Sequence, residues 1–259
     1  MTRIYKKQNK SYLQLLSAMT TKDFKVRYKR ALFGFLWVIL NPLLQMLIIA
    51  SVLIFIIKVT IENYPLFLFV GLLTWNFFSL SFTKATASII HERALIQKAK
   101  FARSVIPVSI ILSNFLHFLA SVVLLLVWVL LFGELHFIRV ALVPLVLLWL
   151  LLLTVGASLI TSSYNVRYRD VSFFLEAGLK LLFYVTPILY PLSIIPKNLQ
   201  IIFFLNPLTS IIQTLQYIFA NQQLPDNNLL LSNIILSAFL IIWGIVIFRK
   251  KSPYFDDWI

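Results

Sequence analysis

The sequence contains no cysteine and only nine acidic residues. Without cysteine the chain can form neither a disulfide nor a thiolate metal site, and its redox compartment cannot be inferred. No Ser/His/Asp triad or pair of catalytic carboxylates is recognisable. His91, His117 and His136 lack the spacing of metal ligands, and the phosphate-binding pattern G-x-x-x-x-G-K-[ST] is missing. These absences argue against catalysis within the chain and against nucleotide binding by that route.

Charged residues of both signs are also scarce. They make up 12% of the 259 residues, while 60% are hydrophobic, against about a quarter and about half in a soluble domain. The apolar residues form runs long enough to cross roughly 30 Å of hydrocarbon as helix. The sequence therefore predicts an all-α polytopic membrane protein, with residues 1–259 in a single transmembrane domain.

Six of the apolar runs predict transmembrane helices. They cover residues 31–57, 65–90, 105–132, 140–163, 171–190 and 229–248. A seventh apolar stretch, 199–220, contains Asn206 and Pro207 and is not counted as a span. We expect 187–228 to form external re-entrant or interfacial helices, because irregular backbone at membrane depth must be covered by protein or line a cavity.

The net charge of +14 follows from where the basic residues lie. Eighteen of the 23 Lys and Arg residues fall in four clusters, at 1–30, 93–103, 167–169 and 249–251. Basic loops stay in the cytoplasm. The pattern thus predicts a membrane protein with both termini in the cytoplasm, and it gives no reason to expect nucleic acid as a partner.

Two segments outside the spans are amphipathic. Residues 11–30 predict a helix in the headgroup plane, since Phe24 and Tyr28 share an arc that is otherwise flanked by basic residues. Residues 92–103 predict a short cytoplasmic helix with apolar residues that a partner or lipid must cover. Such a helix can pass a partner's motion to the adjoining spans, although a helix bound only to lipid has the same pattern.

A few polar residues lie inside the predicted spans. Pro42 removes a backbone hydrogen bond from the first span and predicts a bend there. His117 shares a face with Asn114, and we expect it to contact another helix rather than relay protons. Glu176 and Lys180 have the i, i+4 spacing of an ion pair.

Aromatic residues are abundant, and some are candidates to line a channel, because aromatic faces pack against sugar rings. The alternative is an ordinary lipid-facing or interfacial role. The candidate channel residues are Trp37, Asn41, Trp75, Phe77, Phe78, Phe183, Tyr184 and Tyr190.

Four stretches of the chain resemble one family. They are DFKVRYKRALFGFLWVILNPLLQMLI at 23–48, NVRYRDV at 165–171, TPILYP at 186–191 and NPLT at 206–209. With the spacing of the spans, they resemble the permease subunits of ABC transporters that export lipid-linked polysaccharides, such as O-antigen and teichoic acid.

The resemblance implies a homodimer with two copies of a separate ABC ATPase, which binds the ATP and Mg, and no cofactor in this chain. It implies that residues 92–103 form the coupling helix. The expected ATPase-coupling residues are Glu92, Leu95, Ile96, Lys98, Phe101 and Arg103. The expected substrate is an undecaprenyl-diphosphate-linked O-antigen, and basic residues at the inner interface would attract its headgroup. These are Lys25, Arg27, Lys29 and Arg30.

Other functions remain open from the sequence. The same class includes teichoic-acid, capsule and drug exporters. A proton-coupled secondary transporter would have to rely on His117, Glu176 and Lys180. A lipid-modifying enzyme would need a catalytic cluster at the interface, which the sequence does not offer.

Overall fold

The computed structural model describes residues 2–28, 36–55, 58, 61, 63–132, 137–196 and 198–259. Within these ranges the chain is helical, with helices joined by short connections. The helices are α1 Thr2–Tyr28, α2 Trp37–Phe55, α3 Tyr64–His91, α4 Arg93–Lys98, α5 Val105–Phe132, α6 Phe137–Val140, α7 Val143–Asn165, α8 Asp170–Val185, α9 Pro207–Ala220, α10 Asn227–Lys251 and α11 Phe255–Trp258. Short 3₁₀ helices cover Leu192–Ile194, Gln200–Leu205 and Ser252–Tyr254.

Four helical segments of the described chain are long and apolar enough to cross a membrane. They are Tyr64–His91, Val105–Leu131, Phe137–Asn165 and Asn227–Trp258. Two of the predicted spans are shorter: α2 has 19 residues, of which Leu40–Phe55 forms the apolar part, and α8 has 16. The prediction of a helical membrane protein is confirmed, and that of six full spans stays a prediction.

α3 lies at the centre of the bundle. Its most apolar window is 61% buried by the protein, against 17% for α10, and it packs against α2, α5, α7, α8 and α9. Its N-terminal half is almost wholly buried, with Phe67 and Leu68 among the least exposed side chains. Because α3 contacts most other helices, its side chains form the core of the bundle.

α7 and α10 cross at two glycines. A Cβ added to Gly156 would lie 2.6 Å from the Cα of Ile241, and one added to Gly244 would collide with the carbonyl oxygen of Gly156. Without side chains at the crossing the two backbones come into contact, as small residues allow in membrane bundles. The indole Nε1 of Trp149 also donates to Ser237 Oγ across this pair, at 2.8 Å.

Proline and asparagine set the ends of two helices in the predicted external segment. Pro187 disfavours helical backbone at Thr186, which is extended (φ −75°, ψ 138°), and α8 ends at Val185. Asn206 accepts a hydrogen bond from the Leu208 N–H, and Pro207 opens α9. Residues 199–220 are therefore a 3₁₀ helix followed by a 14-residue helix and not a seventh span, as the sequence predicts.

The described parts of the four basic clusters meet at one end of the bundle, which we call the basic end. There α1, α4, the C-terminal ends of α3, α7 and α10, and α11 share an apolar cluster that includes Met19, Ile96, Val166, Phe248 and Phe255. The opposite end holds the N-terminal ends of α3, α7 and α10 together with residues 186–226. The described basic clusters are thus gathered at one end of the bundle.

Candidate functional site

Of the predicted coupling helix, residues 92–103, which we call the coupling segment, only Arg93–Lys98 is helical, as α4, and the rest connects it to α5. The apolar residues of the segment are turned toward the protein itself. Ile96 is 5% exposed and belongs to the apolar cluster of the basic end, while Leu95 and Phe101 are partly buried against the same cluster. The expectation that a partner or lipid must cover these residues is wrong for Ile96, because it is buried in an apolar cluster of the chain that also contains Phe248 and Phe255.

The two charged ends of the 92–103 segment are tied to other parts of the chain. Glu92 pairs with Lys22 of α1 at 3.1 Å. The guanidinium of Arg103 donates to the carbonyl oxygen of Ser252 and pairs with the carboxylate of Asp256. The segment is therefore connected to both termini of the described chain, and a displacement of one must be accommodated by the others.

The C-terminal residues form the other half of this arrangement. Phe255 is fully buried and lies edge-on to Phe248, with ring centroids 5.4 Å apart. The Arg167 guanidinium lies 5.6 Å from the Trp258 ring, which links α11 to the connection between α7 and α8. This contact joins residues 165–171 to the C-terminal residues, which Arg103 in turn ties to the coupling segment, and nothing in the sequence pattern indicated either contact.

Part of the basic end remains exposed. Its exposed basic residues include His91, Arg93, Lys98, Lys100, Arg167, Arg169, Arg249 and Lys250, and they outnumber the exposed acidic residues Asp170, Asp256 and Asp257; Tyr168 and Tyr254 are exposed as well. Lys98 is the one predicted coupling residue whose side chain is both charged and fully on the surface. A protein that docks at this end meets a basic surface, and the apolar cluster lies beneath it.

α1 packs along α5 and does not stand apart from the bundle. Met19 and Thr20 are buried, and the Phe24 ring stacks on His117 with centroids 4.5 Å apart and planes 9° from parallel. His117 thus contacts another helix. Of the predicted headgroup residues, Lys25 is exposed, while Lys29, Arg30 and the side chain of Arg27 lie outside the described residues.

Three of the eight candidate channel residues are in the protein core. Trp75, Phe77 and Phe78 are all less than 8% exposed. Trp75 lies edge-on to Phe183 of α8 at 5.5 Å, whereas Phe77 packs between α3 and α5 and stacks on Phe118 at 4.9 Å. The structure therefore places Phe77 on a different side of α3 from Trp75.

The remaining candidates lie nearer the surface. Trp37 and Asn41 on α2 are exposed, Trp37 by 43%, and Tyr184 on α8 is 66% exposed. Phe183 contacts Tyr184 edge-on at 5.3 Å, and the Tyr190 hydroxyl donates to the Tyr184 carbonyl at 2.7 Å. These residues form two exposed aromatic patches, one on α2 and one around the end of α8.

A polar contact beside the first patch was missed by the sequence reasoning. Asn76 Nδ2 on α3 donates to Gln45 Oε1 on α2 at 2.9 Å. Gln45 lies one turn after Asn41, and Pro42 between them is buried. Two amides facing each other across neighbouring apolar helices could have been proposed from the pattern, since such side chains need polar partners in a membrane.

Charged residues outside the basic end include one predicted pair and one arginine for which no role was predicted. Glu176 and Lys180 are both exposed on α8, and neither has an ion-pair partner among the described residues. Their predicted pairing is wrong in this structure. Arg139, which the sequence left without a role, lies 4.4 Å over the Tyr217 ring and donates to Asn221 Oδ1 at 2.9 Å. It fastens the C-terminal end of α9 to the helix preceding α7.

Among the residues that the structure describes, no three His, Asp or Glu side chains lie close enough together to hold a metal ion. The His, Asp and Glu side chains instead make the helix-to-helix contacts described above or lie on the surface. The geometry thus consists of a helical bundle with a basic end held by ion pairs, exposed aromatic patches, and an opposite end with few charged side chains among the described residues.

Known proteins are similar to this sequence, some of them over nearly its whole length. The chain is 37% identical over 258 residues to an O-antigen export system permease protein RfbA of Klebsiella pneumoniae, which covers 97% of both chains. It is 34% identical over 248 residues, 95% of both chains, to the protein of that name from Myxococcus xanthus. The polysialic acid transport protein KpsM of Escherichia coli is 27% identical over 206 residues, 76% of this chain and 78% of its own.

The same relationship appears at the level of the family. Residues 14–220 match the ABC-2 type transporter family. This range runs from α1 through the basic end, the core helices and α9, so it takes in both ends of the bundle. On this match and on the near full-length identity to the permeases, the chain belongs to the ABC-2 type transporter family.

Proposed function

We propose that this chain is the membrane-spanning subunit of an ATP-driven exporter that moves an undecaprenyl-diphosphate-linked polysaccharide, an O-antigen, across the inner membrane. The observation that carries the proposal is the 37% identity, over 97% of both chains, to a protein named as an O-antigen export permease. The identity to the polysialic acid transport protein supports the broader class of polysaccharide export.

In this proposal residues 1–259 form one transmembrane domain with six spans, and the basic end faces the cytoplasm. The clustering of 18 Lys and Arg residues in the segments that meet at or lead into that end supports the orientation. α2 and α8 would complete the six spans beside the four longer helical segments.

Residues 187–228 would face outward as re-entrant helices. α9 supports this because it is amphipathic and buried at the outer ends of α3, α7 and α10. Its Ser210 accepts a hydrogen bond from Asn233 of α10 at 2.7 Å, while its last turn reaches Arg139. Asn233 lies nearly two helical turns inside α10. The N-terminal end of α9 is therefore inside the bundle, and its C-terminal end lies nearer the surface of the bundle.

The exporter would be a homodimer with two copies of a separate ABC ATPase, which binds the ATP and Mg. α8 supports a second copy as neighbour, because Phe173, Phe174 and Tyr184 are each more than 60% exposed on one 16-residue helix. Gly178 on the same helix has no atom near its Cβ position. Trp37, Asn41, Phe183 and Tyr184 would then line the pathway, because they remain accessible in a single copy.

The ATPase would dock on the exposed basic surface around Lys98. Its motion would pass through the ties of Glu92 and Arg103 to α1 and to the C-terminal residues. α1 would lie partly in the headgroup region, with Lys25, Arg27, Lys29 and Arg30 attracting the lipid diphosphate.

A cleft at the basic end supports a lipid-linked cargo. It has a volume of about 600 Å³ and lies among α1, α5, α7 and α10. Val108, Leu159 and Phe248 give it apolar walls, while Arg103 and Arg249 lie in its lining as well. A lipid chain fits against the apolar side chains, and a guanidinium can bond phosphate oxygens.

Deletion of the gene and co-expression with an ABC ATPase test the proposal together. Deletion should remove the polysaccharide from the cell surface while lipid-linked glycan accumulates inside, and the wild-type gene should restore export. Purification through a tag on this chain should recover a four-chain complex whose ATP hydrolysis rises with lipid-linked glycan. Normal surface glycan in the deletion strain would contradict the proposal.

A further inference from the structure

The opposite end of the bundle contains a second pocket, separate from the cleft and from the aromatic patches. It has a volume of about 690 Å³ and lies between the start of α3, residues 191–200, α9 and the connection before α10. Six side-chain amides contribute to its lining. They belong to Gln200, Gln213, Gln216, Asn221, Gln222 and Gln223.

Some of these amides hold the wall in place. Gln216 Nε2 donates to the carbonyl of Phe67 at 3.4 Å, which fixes α9 against α3. Gln200 Nε2 donates to the carbonyl of Ile195 at 2.9 Å and closes the preceding segment. Asn221 accepts the bond from Arg139. The pocket therefore lies between α3, α9 and two connecting segments whose positions these hydrogen bonds hold.

Two other amides are not used by the fold. Gln213 and Gln223 make no side-chain hydrogen bond to any described residue, and the Gln213 oxygen is shielded from solvent. Each amide has two donors and an accepting oxygen. Gln223 is exposed and can meet a ligand directly, whereas the Gln213 oxygen has to turn toward the pocket to do so.

The lining decides which ligand chemistry fits. Asp226 is its only ionisable side chain among the described residues, so none of them offers a cation to an anionic group such as phosphate. An apolar ligand would leave the amides without partners, which costs free energy. A neutral ligand with many hydroxyl groups can both donate to the amides and accept from them, and Ile61 and Leu224 can cover its apolar faces.

We propose that this pocket binds uncharged sugar units of the exported glycan on the outward side of the bundle. The inference rests on the proposed function, since export is what brings a glycan to this side. It deepens that function by assigning the amide pocket as a binding site, in addition to the aromatic patches along the spans.

The experiment measures glycan binding to the full-length chain in complex with its ATPase, reconstituted in lipid nanodiscs. The probe is the glycan released by mild acid from the surface lipid of cells that carry this gene. In the double variant Gln213→Leu, Gln223→Leu the side chains keep their bulk and lose their amides. We expect its Kd for the probe to rise about tenfold, as the loss of two ordinary hydrogen bonds implies.

Two further variants keep this test independent of folding. Gln223 lies on an exposed connection, so Gln223→Leu alone should leave the fold intact and weaken binding about threefold. Gln14→Leu makes the same replacement at an exposed position of α1, at the basic end, and should bind the probe like the wild type. Raising the salt concentration should leave wild-type binding unchanged, because the ligand is uncharged.

Equal binding by the wild type and the double variant would overturn the pocket assignment, and so would binding that falls steeply with salt. Either result leaves the proposed function intact if the wild-type gene still restores export in the deletion strain. If the deletion strain exports normally, the proposed function fails instead. The two failures are therefore read from different measurements.

Discussion

The two ends of the bundle are built from different chemistry. At the basic end, charged side chains tie together segments that are far apart in the sequence, and they surround an apolar cluster that includes Ile96, Phe248 and Phe255. At the opposite end the described residues form no ion pair, and hydroxyls and amides make the contacts, as in the bonds from Asn233 to Ser210 and from Gln216 to the Phe67 carbonyl. One cation also contributes at this end, since Arg139 donates a hydrogen bond to the Asn221 side chain.

This difference separates two tasks that a transporter subunit has to perform. A coupling surface must transmit displacement, and a packed apolar cluster with charged ties does so because it cannot deform without losing contacts. A surface that passes a neutral glycan must instead bind many similar units weakly, which exchangeable hydrogen bonds allow. The basic end therefore suits a protein partner, and the opposite end suits a sugar.

The largest expected effect is the accessibility of the two ends from outside the cell. The chain has no cysteine, so single cysteines report position without interference. Gln223→Cys and Lys98→Cys both lie at exposed positions, one at each end. An impermeant thiol reagent should label Gln223→Cys in intact cells and Lys98→Cys only after the membrane is opened. Labelling of Lys98→Cys in intact cells, with Gln223→Cys labelled only after the membrane is opened, would show that the basic end faces outward.

Loss of the Phe255 ring should be the most damaging single change at the basic end. Phe255 is fully buried between α10 and the coupling segment. Phe255→Ala leaves a cavity, and such changes cost about 3–5 kcal/mol. We expect a lower thermal midpoint of the purified protein and less ATPase recovered with it. Tyr254→Ala, at an exposed neighbouring position, is the matched control and should leave the midpoint nearly unchanged.

The tie between Arg103 and Asp256 should be stronger than the more exposed pair of Lys22 and Glu92. The Arg103 side chain is 18% exposed and that of Lys22 is 55% exposed. A double-mutant cycle with alanine at both positions should give a coupling energy of about 1–2 kcal/mol for the first pair. The second pair should give about 0.5 kcal/mol. The cycles are measured by thermal unfolding. Equal coupling energies would show that the Arg103–Asp256 pair stabilises the protein no more than the Lys22–Glu92 pair does.

Trp37 tests whether an exposed aromatic patch contacts the cargo. If its ring packs on passing sugars, Trp37→Ala and Trp37→Leu should both lower export by a few-fold, since an aromatic contact contributes about 0.5–1.5 kcal/mol. Trp243 on α10 has a similar exposure, so Trp243→Leu is the control and should export normally. The readout is surface glycan per unit of membrane protein. Normal export by Trp37→Leu would return Trp37 to a packing role.

Trp75 should behave differently from Trp37, because it is buried against Phe183. Trp75→Leu should reduce the amount of folded protein and leave the export per folded molecule close to normal. A loss of export at normal abundance would instead put Trp75 in the pathway.

The smallest expected effect concerns the amide pair between α2 and α3. Removing one partner, in Asn76→Leu or Gln45→Leu, should destabilise the protein by about 0.6 kcal/mol, the average for hydrogen bonds between membrane helices. The double replacement should recover part of that loss, because no amide is then left without its partner. Thermal unfolding of the three variants measures it, and additive losses would rule out a direct bond.

Parts of the fold could be read from the sequence because they depend on local composition. The four long spans follow from apolar runs, and the end of α8 follows from Pro187. The choice of α9 over a seventh span follows from Asn206 and Pro207, which place a cap and a helix start inside an apolar stretch.

The candidate site was less predictable, and the reasons differ among residues. Phe77 was grouped with Trp75 and Phe78 because all three are aromatic and close in sequence, but its position on α3 turns it toward α5. Ile96 was expected to be covered by a partner or by lipid, but it is buried in an apolar cluster that includes residues more than 150 positions away. Glu176 and Lys180 have ion-pair spacing, yet on an exposed helix that spacing alone fixes neither side chain.

The sequence by itself determined that this chain is a helical membrane protein with its basic segments gathered at one end, because span length and charge placement act locally along the chain. Only the tertiary structure decided that the C-terminal residues close over the coupling segment, and that six amides surround one pocket at the opposite end. Those arrangements depend on long-range packing, in which residues separated by tens to more than a hundred positions meet, and no local pattern records which of them will do so.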